Sequence, residues 1–358
     1  MRSTQLIRTI LDKMDKNAAE LSYFPHITQN GKWITTLDDN WTSGFWIGLL
    51  WLSYKLTDEK RYTESAYNWL RLLEKRKTER TPDLGFLFYP SFALGHQITN
   101  DDYLKKTALE AADTLTTLFN EKVNLIYNEK SMDAEKFGQT AVDLMMNLQL
   151  LWWAYEETKE EKYYQIAFRH SKSTIENLIR EDWSTIHVIN FDLESGDTIS
   201  KKTVQGYSDD SCWSRGQAWA IYGYALAYGA TMESSFLEIG EKVADYFIRN
   251  LPRDYVPFWD FNDPKIPNTV RDSSAAAIAC SGMLTLSQVS KKEKFRETAL
   301  RILNSLSKNY LAGEGDGLLK HGCYDKPEKV GVDESLIWGD YYFVEALEKV
   351  RGKMDATL

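Results

Sequence analysis

Two kinds of helical segment alternate along nearly the whole chain, and few folds accept that pattern. One kind is amphipathic. Stretches 57–75, 99–119, 158–179, 233–251 and 290–308 each start polar and place an aromatic residue or Leu early. Each then repeats apolar residues at i, i+3, i+4 and i+7 with Lys and Glu between, the spacing of a half-exposed helix. The other kind is apolar or small on most sides: 43–56, 84–95, 140–157, 214–229, 273–288 and 333–349. A helix without a polar face is buried. The amphipathic N-terminal segment adds a sixth outer helix, so six outer and six inner helices alternate, one pair every roughly 45–75 residues. An open solenoid would expose its last pair, and these inner helices are too apolar for that. The expected fold is all-α: an (α/α)6 barrel of six helical hairpins. No Ser/Gly/Pro tract, charge block or low-complexity run divides the chain, so residues 1–358 are expected to form a single domain. A short β-hairpin is expected within 184–204, where β-branched residues alternate around the turn ESGD.

Composition removes several functions. The formal net charge is −9, which disfavours nucleic acid as a partner, because phosphates call for basic patches. No stretch reaches the length of a membrane helix, and the first residues lack an apolar signal-peptide core. Cys212, Cys280 and Cys323 are scattered and odd in number, as small core residues would be. The cytoplasm is the expected compartment. The five histidines His26, His96, His170, His187 and His321 show no zinc spacing, and no GxGxxG, Walker loop or GxSxG occurs. Nucleotide, dinucleotide and serine-hydrolase readings therefore lack their motifs.

The chemistry gathers where loops feed the inner helices. Polar-aromatic clusters sit at 39–46, 82–85, 209–219, 271–274 and 333–335. In a closed ring these junctions converge at one end, in a concave mouth lined by Trp and Tyr. The densest is VQGYSDDSCWSRGQAW, residues 204–219, at the head of a buried helix that Ser208, Asp209, Asp210 or Ser211 would cap. Flat aromatic faces beside carboxylates, amides and a guanidinium suit a sugar, and Arg215 offers a planar fork to a carboxylate. The plain alternative is a capped helix with a salt-bridged Arg.

Sugar-bond chemistry often uses two carboxylates, one kept protonated by its surroundings. Asp143 stands in an otherwise apolar helix, where desolvation favours the neutral acid, and Asn147, at i+4, lies on the same face to orient it. Asp83, ahead of the next inner helix, is the second candidate. Each has an ordinary alternative, a helix-start or N-cap carboxylate. Trp41 and Trp219 are candidate stacking platforms or core residues, and Gln205 and Arg215 candidate substrate contacts. His187, on the expected hairpin, is either structural or functional. Asp260, Asp263 and Asp272 read as loop-ordering carboxylates, and Trp338 and Asp340 as structure.

These stretches resemble glycoside hydrolase family 88, the unsaturated glucuronyl hydrolases. The resemblance rests on WTSGFWIGLLW, DLGFLF, AVDLMMNLQLLWWA, QGYSDDSCWSRGQAWAIYGYALAY, VPFWDF, RDSSAAAIACSG and GVDESLIWGDYYFVEAL, in order from about residue 40 to 350. It implies action on lyase-made oligosaccharides that carry a 4,5-unsaturated uronic acid at the non-reducing end. An Asp protonates C4 of the vinyl ether and, as carboxylate, helps water add at C5; the hemiketal opens and the glycosidic bond falls apart. No cofactor is implied. The family's acid/base Asp corresponds to Asp143, its second carboxylate to Asp83, its hairpin His to His187, and its Gln, Arg and Trp to Gln205, Arg215 and Trp219. Two positions depart from the family pattern: Pro82 and Val204 stand where a His is expected, and both would line the pocket.

Other readings make different demands. Family 105, the unsaturated rhamnogalacturonyl hydrolases, shares the chemistry but matches these stretches less closely. A sugar epimerase needs paired histidines. A non-catalytic carbohydrate-binding relative would bind without consuming the double bond, and a helical scaffold would spread its polar-aromatic residues along a concave face.

Overall fold

A computed structural model describes residues 3–37, 40–132 and 135–351. The helices alternate between an outer and an inner layer. Outer α1 (Ser3–Glu20) leads to inner α2 (Ser43–Thr57), and outer α3 (Lys60–Leu73) to an interrupted inner helix. That helix comprises α4 (Leu84–Phe88), a π turn (Tyr89–Ala93) and α5 (Leu94–Thr99). Pro90 lacks the N–H that would continue the α ladder, which accounts for the π segment. Outer α6 (Asp102–Thr116) precedes inner α7 (Leu144–Asn147) and α8 (Gln149–Thr158); outer α9 (Glu161–Leu178) precedes inner α10 (Ser214–Thr231). Outer α11 (Ser234–Arg249) and α13 (Glu293–Asn309) alternate with inner α12 (Ser273–Ser290) and α14 (Ile337–Val350).

The ring closes. The inner helices touch in the order α2, α4, α7, α10, α12, α14, and α14 packs back on α2. This is the expected (α/α)6 barrel: six outer and six inner helical positions among the described residues. Residues Ser214 to Ala227 of α10 are all buried, as a helix apolar all round requires.

At one end, five inner helices finish in the same tight turn. Asp58, Asn100, Lys159, Met232 and Lys291 each adopt the left-handed conformation, with φ of 62°, 57°, 60°, 57° and 59°. A hydroxyl just before each, from Thr57, Thr99, Thr158, Thr231 or Ser290, accepts the N–H just after it. The next outer helix starts at once, which explains the shared opening of the outer segments. Toward this end the barrel is filled by a buried network. Glu345 accepts from Tyr222 Oη (3.0 Å) and Ser281 Oγ, while Lys349 Nζ reaches Thr285 Oγ1 (3.0 Å) and Glu345 (3.3 Å).

The short strands lie between helices. The expected hairpin is present as β7 (Val188–Phe191) and β8 (Thr198–Lys202), with His187 just ahead of it. It is half of a larger sheet. β5 (Asn128–Met132) and β6 (Glu135–Ala141) precede it, in the antiparallel order β5–β6–β7–β8. Among the described residues three two-stranded ribbons complete the set: β1 (Phe24–Gln29) with β2 (Lys32–Thr36), β3 (Phe119–Asn120) with β4 (Leu125–Ile126), and β9 (Gly322–Asp325) with β10 (Val330–Glu334). Among the described residues no helix is long and apolar enough to cross a membrane.

Candidate active site

All six inner helices start at the opposite end from the shared turns. Their N-cap residues are Thr42, Asp83, Asp143, Trp213, Asp272 and Leu336. Six parallel helices thus aim the positive ends of their dipoles at one mouth. A cleft of about 220 Å³ opens there, lined by Trp41, Asp83, Asp143, Val204, Gln205, Trp213, Arg215, Trp219, Tyr324 and Asp325. The structure therefore brings together Trp41, Asp83, Asp143, Gln205, Arg215 and Trp219.

Asp83 and Asp143 occupy N-cap positions, yet neither carboxylate takes a capping hydrogen bond. Asp272 is the contrast: its Oδ1 accepts from Ser274 N (3.0 Å) and Ala275 N (3.3 Å). The two cleft carboxylates are only partly open to solvent. Burial pushes Asp83 up to about 7, and the neighbouring Asp143 charge adds to that rise, against the pull of Arg76, Thr81 and Lys130. Burial also raises Asp143, to about 6, against its own backbone N–H and the Arg215 charge. Oδ1 of Asp143 is buried and has no hydrogen-bond partner. Two carboxyls with raised affinity for protons, one with an unsatisfied oxygen, can hold and pass a proton near neutral pH.

Arg215 is wholly buried and ion-paired to Asp272 (2.9 Å), as the salt-bridged alternative anticipated, and yet it also lines the cleft. It donates to the carbonyls of Cys323 and Tyr324 (2.7 Å for the latter) and lies 4.4 Å from the Trp213 ring centroid. These partners fix its plane and leave other N–H groups uncommitted. Gln205 Nε2 donates to the Tyr324 carbonyl at 3.0 Å, so both residues hang from the β9 strand. The aromatic wall is continuous: Trp41 against Trp338 (4.9 Å between centroids) and Phe86 (5.2 Å), and Phe86 against Trp219 (5.2 Å).

Two expected contacts stand behind the lining instead of in it. Asn147 is fully buried; its Oδ1 accepts from Phe86 N at 2.7 Å and its Nδ2 has no partner. It does not orient Asp143 by a hydrogen bond, because α4 presses so close that a Cβ on Gly85 would collide with the Asn147 backbone. His187 stacks on Trp213 at 4.3 Å, and its Nδ1 accepts from Val204 N (3.2 Å) and Gln205 N (3.4 Å). An accepting Nδ1 places the proton of the neutral ring on Nε2. Burial, and after it Arg215, lowers its pKa to about 3, so the ring stays neutral.

None of Ser208, Asp209, Asp210 or Ser211 caps α10; Trp213 takes that place without a side-chain cap, because Ser211 is turned to Asp260. Asp260 and Asp263 order loops, and Asp340 accepts from Leu318 N and Leu319 N. Tyr207 and Asp210 are exposed, outside the lining. Val204 lines the cleft; Pro82 is buried and does not. Asp39 lies outside the described residues. Tyr324 and Asp325 were not foreseen: they sit on a strand with no helical register and no alternating pattern to flag them. The three cysteines are buried and free. Among the described residues no cluster of His, Cys, Asp or Glu is arranged to hold a metal ion.

Comparison with known proteins meets this geometry. The Glycosyl Hydrolase Family 88 model matches residues 8–356. An unsaturated glucuronyl hydrolase of Formosa agariphila is 39% identical over 319 residues, covering 87% of this chain and 80% of its own. An unsaturated chondroitin disaccharide hydrolase of Streptococcus pneumoniae is 38% identical over 321 residues, covering 86% and 81%. The crystal structure of an unsaturated glucuronyl hydrolase from Bacillus sp. GL1 superposes with a TM-score of 0.93 at 33% identity, covering 98% of this chain and 97% of that one.

Proposed function

We propose that this chain, which belongs to glycosyl hydrolase family 88, removes a 4,5-unsaturated uronic acid from the non-reducing end of lyase-made oligosaccharides by hydrating its vinyl ether. The observation that carries the reading is the pair Asp83 and Asp143, uncapped and proton-retaining, in an aromatic cleft walled by a buried arginine. The relatives' own names point the same way, to unsaturated glucuronyl and chondroitin disaccharide substrates.

In this mechanism Asp143 enters as the acid and transfers its proton to C4. Positive charge develops at C5 and the ring oxygen. Water attacks C5 and returns a proton to the Asp143 carboxylate, so the enzyme is restored and one water is consumed. The C5 hemiketal then opens, and the hemiacetal left at C1 releases the second sugar. Asp83 shares the proton balance, so the dyad, not either residue alone, titrates near neutrality. Arg215 and the convergent helix N-termini favour the uronate carboxylate. Trp41 and Trp219 offer flat faces to the sugar.

The test is loss of ultraviolet absorbance by the conjugated uronate, across chondroitin, hyaluronan, heparin, gellan and rhamnogalacturonan lyase products. Turnover of at least one is expected, with Asp143→Asn slower by about 10²–10⁴-fold, the usual weight of general acid–base catalysis. Folded protein inert on the whole panel, or an unimpaired Asp143→Asn, would refute it.

A further inference from the structure

Arg76 is the one buried residue of the short 3₁₀ turn Glu74–Thr78, with 7% of its surface exposed. Burying a guanidinium is costly unless it is paired, so its partners say what it is for. Nη1 donates to the Asn40 carbonyl at 2.6 Å, and Nε donates to Glu79 Oε2 at 2.6 Å. Both partners lead directly to the cleft. Asn40 precedes Trp41, and its carbonyl also accepts from Ser43 Oγ (3.2 Å) at the start of α2. Glu79 opens a short run of local bonds. Its carbonyl accepts from Thr81 N at 2.9 Å, and Thr81 Oγ1 accepts from Asp83 N at 3.3 Å. One planar side chain thus clamps the two loops that deliver Trp41 and Asp83.

We propose that Arg76 is a positioning residue for the reaction: it locks the Trp41 and Asp83 loops together and sets a fixed positive charge behind Asp83. This rests on the reading of Asp83 and Asp143 as the reactive pair. The groups acting on Asp83 are Asp143 at the head of α7, Arg76 from the 3₁₀ turn, Lys130 from β5, and the Thr81 hydroxyl of its own loop. Asp143 opposes ionisation of Asp83, and the other three favour it. Lys130 is exposed and screened by solvent. Arg76 is buried, and so is the cation whose effect persists in salt. Glu79, half-exposed at 49%, partly neutralises it.

The experiment follows Asp83 directly, by ¹³C NMR of carboxyl-labelled aspartate, with the resonance identified through Asp83→Asn. Arg76→Met should move the Asp83 midpoint up by about 1 unit, the scale of a lost neighbouring cation. Glu79→Gln, which frees the arginine's charge, should move it down, and Arg76→Lys should leave it near wild type. On an unsaturated disaccharide, Arg76→Met should lower kcat by about 10–10²-fold, as a displaced reacting group does, with its pH optimum shifted up. An Asp83 midpoint unmoved in both Arg76→Met and Glu79→Gln would overturn the proposal. So would equal losses in Arg76→Met and Arg76→Lys with no shift in pH profile. If Arg76→Met does not fold, the surface variant Glu79→Gln decides alone. The midpoint needs no substrate, so inert wild-type enzyme would sink the proposed activity without deciding this point.

Discussion

At the scale of the residue, the two cleft carboxylates set how stability and activity vary with pH. Between about pH 4 and pH 7 the folded protein keeps Asp83 protonated while the unfolded chain has lost that proton. The native state binds the extra proton, so stability is greatest below that window and declines as pH rises through it. We expect Asp83→Asn, which cannot ionise, to melt several degrees above wild type at pH 8. The difference should shrink as the pH falls through that window and vanish only below about pH 4, where the unfolded chain is protonated too; a constant difference across that range in thermal melts would contradict this. Activity depends on the same protons. An acid catalyst retaining its proton to about pH 6, beside a partner titrating near 7, should lose kcat/KM as the pH rises above about 6. An initial-rate pH profile on an active disaccharide checks it, and a flat profile to pH 9 would count against the assignment.

Elements show which local choices can be improved and which are legible in the sequence. Met232 is 69% exposed and sits at φ 57°, where a β-carbon costs roughly 1–2 kcal/mol. Met232→Gly should stabilise the protein by up to about 1 kcal/mol, the strain relieved less the entropy glycine loses. Urea melts measure it, and destabilisation would show that the methionine packs in a way its exposure does not suggest. Helix periodicity makes the two layers of six helices readable from the amino acids alone, because burial on one side or on all sides writes itself into the spacing of apolar residues. Asp83 and Asp143 are readable for the same reason, as charges at the heads of apolar helices. The β5 and β6 strands are not: NEKSM and EKFGQTA carry little alternation, and β6 finds its place by pairing with β7, a partner distant in the chain. Likewise Asn147 and His187 stand out as residues but not as placements, because i+4 spacing says nothing of how closely a neighbouring helix packs.

For the whole molecule, charge works at two ranges. The surface is acidic, with net charge −9, so a uronate approaching from afar is repelled. On the proposed function, the buried Arg215 and the helix N-termini at the cleft draw it in at close range, where burial shields them from salt. We therefore expect kcat/KM on an unsaturated disaccharide to rise, not fall, between about 20 mM and about 200 mM NaCl. A steep fall, as a basic groove would show, would mean that exposed cations dominate binding. The packed network of Glu345, Lys349, Tyr222 and Ser281 has a consequence for traffic. Packed side chains fill the barrel toward the end opposite the cleft, which favours entry by the tip of a chain over threading through the ring. A polymer then presents its tip, and each clipped unit backs out before the next tip enters. The speed at which a mixture is cleared then follows the number of tips in it, not the mass of chain, and an endo-cutting lyase sets the pace by making more of them.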